Sequence, residues 1–217
     1  MHIPDAFIPI PQGIVYWIIA LVFVVLALKW AKNEMNEEKL PLVAVLAAGI
    51  FALQSFNLPV SMGTSGHLVG GALAAIVLGS PFAAVFILTM VLIVQGVLFG
   101  DGGLTTMGAN IINMGVIGGF IGFYTFKGLM AATKSMPISG FAAAWLACLI
   151  PSLACAVEMF IAGTFPLREG LIAMGLYHAI IGVIEGIVTV AAIYLITTVR
   201  PDLVDTGVKS VKGAGTS

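Results

Sequence analysis

The sequence predicts an all-α, polytopic membrane protein of seven transmembrane helices, with the N-terminus outside and the C-terminus inside. Three observations predict it. Of 217 residues, 60% are hydrophobic and only 9% charged, and the mean hydropathy is +1.12, a composition that soluble domains of this length do not carry. The apolar residues gather in runs that approach the roughly 17–25 residues a membrane-crossing helix needs. The few Lys and Arg residues are distributed so as to orient those runs. The net charge of −1 by itself says nothing about nucleic acid or acidic partners; no nucleic-acid partner is expected, and the lipid bilayer of the cell membrane is the first partner.

The elements follow in order. Residues 3–13, IPDAFIPIPQG, contain three prolines and a glycine and read as an ordered, non-helical lead-in. No positive charge precedes the first apolar run, whose first lysine is Lys29, so the start does not read as a signal peptide. His2 is too bulky to favour removal of the preceding methionine, and Met1 is expected to keep a free amine. Seven apolar segments then span 14–31, 40–56, 64–79, 81–99, 108–126, 138–162 and 171–198. The third is short and meets the fourth at Gly79-Ser80-Pro81, a tight helix–helix turn. Residues 1–198 are expected to form a single membrane-embedded domain, and 199–217 a polar cytoplasmic tail.

With the N-terminus outside, the inner face receives Lys29, Lys32, Lys39, Lys127, Lys134, Arg200, Lys209 and Lys212, and the outer face Arg168 alone. The same count places the N-terminus and the loops 57–66, 100–107 and 163–170 together outside, with His67 opening the third helix on that face. The spacings Gly115/Gly119, Gly118/Gly122 and Gly182/Gly186 read as close helix packing. Cys148 and Cys155 read as small buried hydrophobes.

The chemistry gathers at Met1-His2. A free amine, the His2 amide nitrogen and His2 Nδ1 close a five- and a six-membered chelate ring on one divalent metal and leave one corner of a square plane open. His67 would fill that corner, and square-planar nitrogen donors suit Ni(II) or Cu(II). Asn57, Ser61, Thr64 and Ser65 are candidates to hydrogen-bond the His67 nitrogen that does not hold metal, fixing its tautomer. Asp101, in FGDGGLTTMGAN, is acidic on the outer side, as are Asp5 and Glu169, and could attract a cation or support a ligand.

Glu158, His178 and Glu185 are the intramembrane ionisable residues, a type that usually faces a bundle interior or a functional path. The favoured reading is a buried polar network locking the sixth and seventh segments. The alternative is a stand-alone secondary transporter or channel that moves a transition metal along a His/Glu path. Met62, Met107, Met159 and Met174 could offer thioethers to Cu(I), but without close methionine spacing they read as packing. No G-x-x-x-x-G-K-[ST] loop, H-E-x-x-H or nucleophile–base pair occurs. The chain is therefore not expected to be an enzyme or to hold a catalytic cofactor, and uphill transport would draw energy from another subunit or an ion gradient.

MHIPDAFI, NLPVSMGTSGHLVGG, FGDGGLTTMGANIINM and YHAIIGVIEGIVT, in this order over residues 1–198, together resemble the CbiM/NikM family, the substrate-binding (S) components of energy-coupling-factor transporters for nickel and cobalt. The resemblance implies a seven-helix fold with the N-terminal segment inserted at the outer face. It also implies a transported Ni2+ or Co2+ held by the amine of Met1, the amide and imidazole of His2, and His67. The implied partners are a transmembrane coupling protein, two ABC-type ATPase subunits and often a small accessory membrane protein. Pro4-Asp5 looks more like nickel-type members, and a deprotonated amide in a square plane suits Ni(II) better than Co(II), so nickel is favoured. Ala6 departs from the glycine the family more often has there. Within this reading Glu185→Gln is expected to leave metal binding intact.

Overall fold

A computed structural model describes residues 1–60 and 64–203; Ser61, Met62, Lys209, Lys212 and the rest of the tail lie outside the described residues. A non-helical strap, residues 1–9, leads into α1 (Ile10–Glu34), followed by α2 (Leu40–Gln54). A hairpin of β1 (Leu58–Val60) and β2 (Thr64–Gly66) comes next, then α3 (Gly71–Val77) and α4 (Pro81–Val94), which runs on as a π-helical turn over Gln95–Phe99. After a loop, α5 (Met107–Asn110) passes through a π-helical stretch, Ile111–Ile117, into α6 (Gly118–Thr133). Helices α7 (Met136–Ile161) and α8 (Leu167–Val199) complete the bundle.

Five of these helical stretches are long and apolar enough to cross a membrane: 10–34, 81–99, 107–133, 136–161 and 167–199. Side chains such as Ile14, Ile18, Val22, Val183 and Leu195 stand exposed on their outer faces, as a lipid-facing surface requires. This is a multi-pass membrane protein. The 15-residue α2 is about 22 Å long at 1.5 Å per residue, short of a hydrocarbon core of about 30 Å.

Of the boundaries that differ from the sequence reading, two bear on the N-terminal strap and on His67. Helix α1 begins at Ile10 rather than after Gly13, because Pro11 lies in its first turn, where a missing N–H costs no hydrogen bond. The segment 64–79 is helical only over Gly71–Val77. Its first three residues pair antiparallel with β1, Leu58 opposite Gly66, and residues 67–70 are neither helix nor strand. Gly70, at φ +78°, turns the chain into α3 through a conformation that L side chains rarely adopt. His67 therefore precedes the third helix instead of opening it.

Irregular backbone inside a membrane protein must find its hydrogen bonds in protein. Here the Glu185 carboxylate of α8 accepts from the Val69 and Gly70 amides at 2.8 and 2.9 Å, and Gln54 Nε2 of α2 donates to the Val69 carbonyl at 2.7 Å. The turn at 79–81 forms as expected: Gly79 is at φ +69°, Ser80 Oγ accepts from the Phe82 amide at 3.2 Å, and Pro81 opens α4.

The expected small-residue packing is present. Gly119 and Gly122 lie against Ala84 and Ala72, while Gly182 and Gly186 receive the Trp145 and Phe141 rings of α7. Trp145 Nε1 also donates to the Ala179 carbonyl at 3.0 Å, binding α7 to α8. Cys148 and Cys155 are free thiols buried in the core, and Met107, Met159 and Met174 are buried with them.

Candidate metal centre

The N-terminus is tucked into the protein: Met1 and Ile3 are fully buried and His2 is 2% exposed. Its backbone is held by the loop before α5. The Ile3 amide donates to Asn110 Oδ1 at 2.9 Å, and the Ile3 carbonyl accepts from Thr106 Oγ1, Gly103 N and Asn110 Nδ2 at 2.5, 3.0 and 3.2 Å. Asp5 accepts from the amides of Leu104 and Thr105 and from Thr105 Oγ1. Those contacts, the Thr105 hydroxyl foremost, outweigh partial burial and hold the Asp5 carboxyl below its ordinary range. The strap lies so close that a Cβ on Gly103 would sit 2.3 Å from the Asp5 amide nitrogen. Ala6 turns the strap at φ +70°, the left-handed region where glycine is unstrained.

Two segments bring His67 to this strap. The hairpin places Ser65 so that the Met1 amine donates to its Oγ at 3.2 Å. The His67 imidazole, 1% exposed, stacks on that of His2 with ring centroids 4.3 Å apart and 24° between planes. His67 Nδ1 is 2.8 Å from the Leu68 carbonyl. A carbonyl only accepts, so Nδ1 carries the proton and Nε2 keeps its lone pair. Among the described residues His67 Nε2 is buried with no hydrogen-bond partner, as are both ring nitrogens of His2. His2 Nδ1 lies 2.9 Å from Asp101 Oδ1, but out of line for a ring N–H hydrogen bond.

Burial makes the donors neutral. It is the main cause that lowers the Met1 amine to about 5, against the weaker pull of Cys155, Cys148 and Asp101. It is also the main cause that lowers His2, and the neighbouring amine adds to it. His67 falls well below its ordinary value, first through burial, then through the amine, His2 and, in smaller measure, His178. A neutral amine and neutral imidazoles present lone pairs, the form in which they ligate metal. Burial alone would raise Asp101, yet His2, Asn57 and the amine together hold it below the usual carboxylate range. An anion thus sits beside three neutral donors.

The structure brings Met1, His2, His67, Ser65 and Asp101 together, but with different partners from those expected around His67. The backbone carbonyl of Leu68 fixes the His67 tautomer, Ser65 serves the amine, and Asn57 Nδ2 donates to Asp101 Oδ2 at 2.9 Å. The remaining candidates for that role, Ser61 and the Thr64 side chain, lie outside the described residues. No three His, Cys, Asp or Glu side chains form a conventional metal cage among the described residues.

The intramembrane ionisable residues do not form the single network expected between the last two helices. Glu158 Oε2 accepts from Asn113 Nδ2 at 2.6 Å, Glu185 holds the 69–70 backbone, and His178 Nδ1 donates to the Met174 carbonyl at 2.8 Å. Glu158 is buried rather than near water, because the Asn113 amide covers its carboxylate and Gln12 of α1 donates to its carbonyl.

The sequence reading missed Gln54, Gln95, Thr106, Asn110 and Asn113. Each is a neutral polar group, buried within an apolar run or at its mouth, and an uncharged amide inside a span would have been the signal. Gln95 lies near His2 with both side-chain polar atoms unpartnered, in the π-helical turn that ends the α4 span. Such turns recur at functional sites.

Comparison with known proteins agrees with this architecture. The family described as "cobalt uptake substrate-specific transmembrane region" matches residues 2–203. A protein of Haloquadratum walsbyi, named provisionally for metal transport, is 38% identical over 95% of this chain and 94% of its own. A fused nickel transport protein of Rhodobacter capsulatus is 31% identical over 94% of this chain and 63% of its own. The crystal structure of a truncated transition metal transporter superposes with a TM-score of 0.86 at 26% identity, covering 91% of this chain and 99% of that one. The chain belongs to the CbiM/NikM family, the substrate-specific transmembrane components of cobalt and nickel uptake.

Proposed function

We propose that this chain is the metal-binding membrane subunit of an ATP-driven importer of the energy-coupling-factor, ABC type, and that its transported substrate is Ni2+ or Co2+, with nickel favoured. The observation that carries the reading is the meeting of a neutral, buried terminal amine with His2 and His67 in one place. With the His2 amide these supply four nitrogens, and a square plane of nitrogen suits Ni(II). The charges balance as well. The amide gives up its proton on binding, and the amidate and Asp101 offset the two positive charges that burial would otherwise leave uncompensated.

In this reading α2 and the 64–79 segment complete seven crossings with the five long helices, N-terminus out and C-terminus in, as the basic-residue count supports. The metal is captured from outside. A transmembrane coupling protein, two ABC-type ATPases and a small accessory membrane protein supply the energy and the opening. The rival His/Glu path through Glu158, His178 and Glu185 finds less support, because each of the three is bound to a different element.

The test compares Ni(II) binding, by calorimetry, for the protein with its native start and with one residue added before Met1. The extension turns the amine into an amide and is expected to abolish binding; unchanged affinity would overturn the terminal-amine site. His67→Ala is expected to weaken binding by roughly a hundredfold or more, beyond the 10–100-fold that loss of an outer hydrogen bond typically costs.

A further inference from the structure

His178, the third histidine of the chain, is fully buried in α8. Its Nδ1 donates to the Met174 carbonyl one turn back, which fixes the proton on that nitrogen and leaves the Nε2 lone pair free. That Nε2 is buried with no hydrogen-bond partner among the described residues. The Met174 carbonyl is itself anchored from α7 by Ser152 Oγ at 3.3 Å, and the His178 carbonyl takes the Cys148 thiol at 3.7 Å. The imidazole is thus held in one orientation, with no hydrogen-bond partner for Nε2 among the described residues.

Its surroundings are those of the metal centre. His178, Ile181 and Glu185 share one face of α8 by their three- and seven-residue spacing. Ile181 Cδ1 lies where a side chain on Gly66 would meet it, and Glu185 holds the amides of Val69 and Gly70. This face therefore follows the stretch that carries His67. On the other side of the site the Asp101 side chain is 28% exposed. The centre has a wetter carboxylate side and a dry imidazole side.

We propose that His178 Nε2 is a relay ligand, the first donor to take the ion as it leaves the square plane toward the bundle interior; this rests on the plane of Met1, His2 and His67 argued above. A square-planar d8 ion exchanges ligands by association, through a five-coordinate state entered from above or below the plane. A fixed lone pair on that side provides such an approach. Nε2 donates its pair to the metal, and an in-plane nitrogen leaves with its own pair. The His2 amide recovers from water the proton it lost on binding. No oxidation state changes.

The relay is tested with Ni(II) alone on the purified full chain, measuring equilibrium affinity, the d–d absorption of the bound ion, and the rate of release to a chelator. H178N keeps an amide N–H within reach of the Met174 carbonyl and removes Nε2. It is expected to keep wild-type affinity and the planar spectrum while releasing nickel about tenfold more slowly, in the range found for groups that tune a metal site from outside its ligand set. An unchanged release rate overturns the relay. Loss of affinity also overturns it, since His178 would then be a resident ligand. Should H178N fail to fold, H178Q is read instead; its amide reaches the Nε2 position with a poorer donor, an intermediate release rate supports the relay, and a wild-type rate overturns it. Failure of the plane itself shows separately, as nickel binding that survives an N-terminal extension in the unsubstituted protein.

Discussion

The two sides of the candidate metal centre are built in different ways. The strap carrying Met1 and His2 is clamped by a rim loop, through Thr106, Asn110 and the backbone at 103–105. The 66–70 stretch carrying His67 is clamped from inside the bundle by Glu185 and Gln54. Water can replace much of what the exposed Asp5 and Thr105 offer the strap. Nothing can replace the buried carboxylate under Val69 and Gly70. The His67 side should therefore be the rigid half of the site, and the strap the half that can open to admit an ion.

Glu185→Gln strikes the rigid half and has the largest effect of the three substitutions that follow. Two carboxylate oxygens now serve two amides; a glutamine offers one oxygen and turns an NH2 toward the other N–H. A buried donor left without an acceptor costs about 1–3 kcal/mol. Thermal melting is expected to fall accordingly, and Ni(II) affinity to drop roughly tenfold as His67 loses its seat. This reverses the expectation drawn from sequence, in which Glu185 stood apart from binding. An affinity and a melting temperature both equal to wild type would show that the carboxylate does not hold His67 in place.

Asp5→Ala strikes the strap. It removes the acceptor for two amides and one hydroxyl, but all of these are exposed, so the net loss is about 1 kcal/mol. The expected signature is faster nickel release with little change in melting, the reverse of Glu185→Gln. If both variants fall together in stability and affinity, the two clamps act as one and the contrast fails.

How much of this was legible depended on whether a residue's partner was a side chain or a backbone. The chelating start could be drawn from Met1-His2 alone because its donors are adjacent in the chain, and His67 could be added because basic residues sort the loops by side. Glu185 was conspicuous as a charge inside a span, but its role was not, because it binds amides 115 and 116 positions away that composition cannot point to. The same holds for Asn110, whose amide serves Ile3 across 107 residues. The helix assigned to 64–79 failed in its first half for a related reason. The apolar run 71–77 is helical, but before it Gly66, Gly70 and the hairpin with β1 set the backbone. Tertiary hydrogen bonds, not local pattern, decide an irregular stretch at membrane depth.

The smallest expected effect belongs to Ala6. At φ +70° its Cβ crowds the backbone, which costs a non-glycine residue roughly 1–2 kcal/mol. Ala6→Gly relieves that strain but also gives the unfolded chain more freedom, a loss of about 0.4–1 kcal/mol. The net gain should be about 1 kcal/mol or less, seen as a slightly higher melting temperature. Because Ala6 lies in the strap and touches no proposed ligand, nickel affinity at equilibrium should stay the same. The release rate is the more telling measurement. If the strap is the half that opens, a relaxed turn at residue 6 stabilises the closed strap and slows release slightly. Release that is instead faster, with melting unchanged, would show that the strained alanine stiffens the strap, and that the closed form depends on that stiffness rather than on the Asp5 clamp.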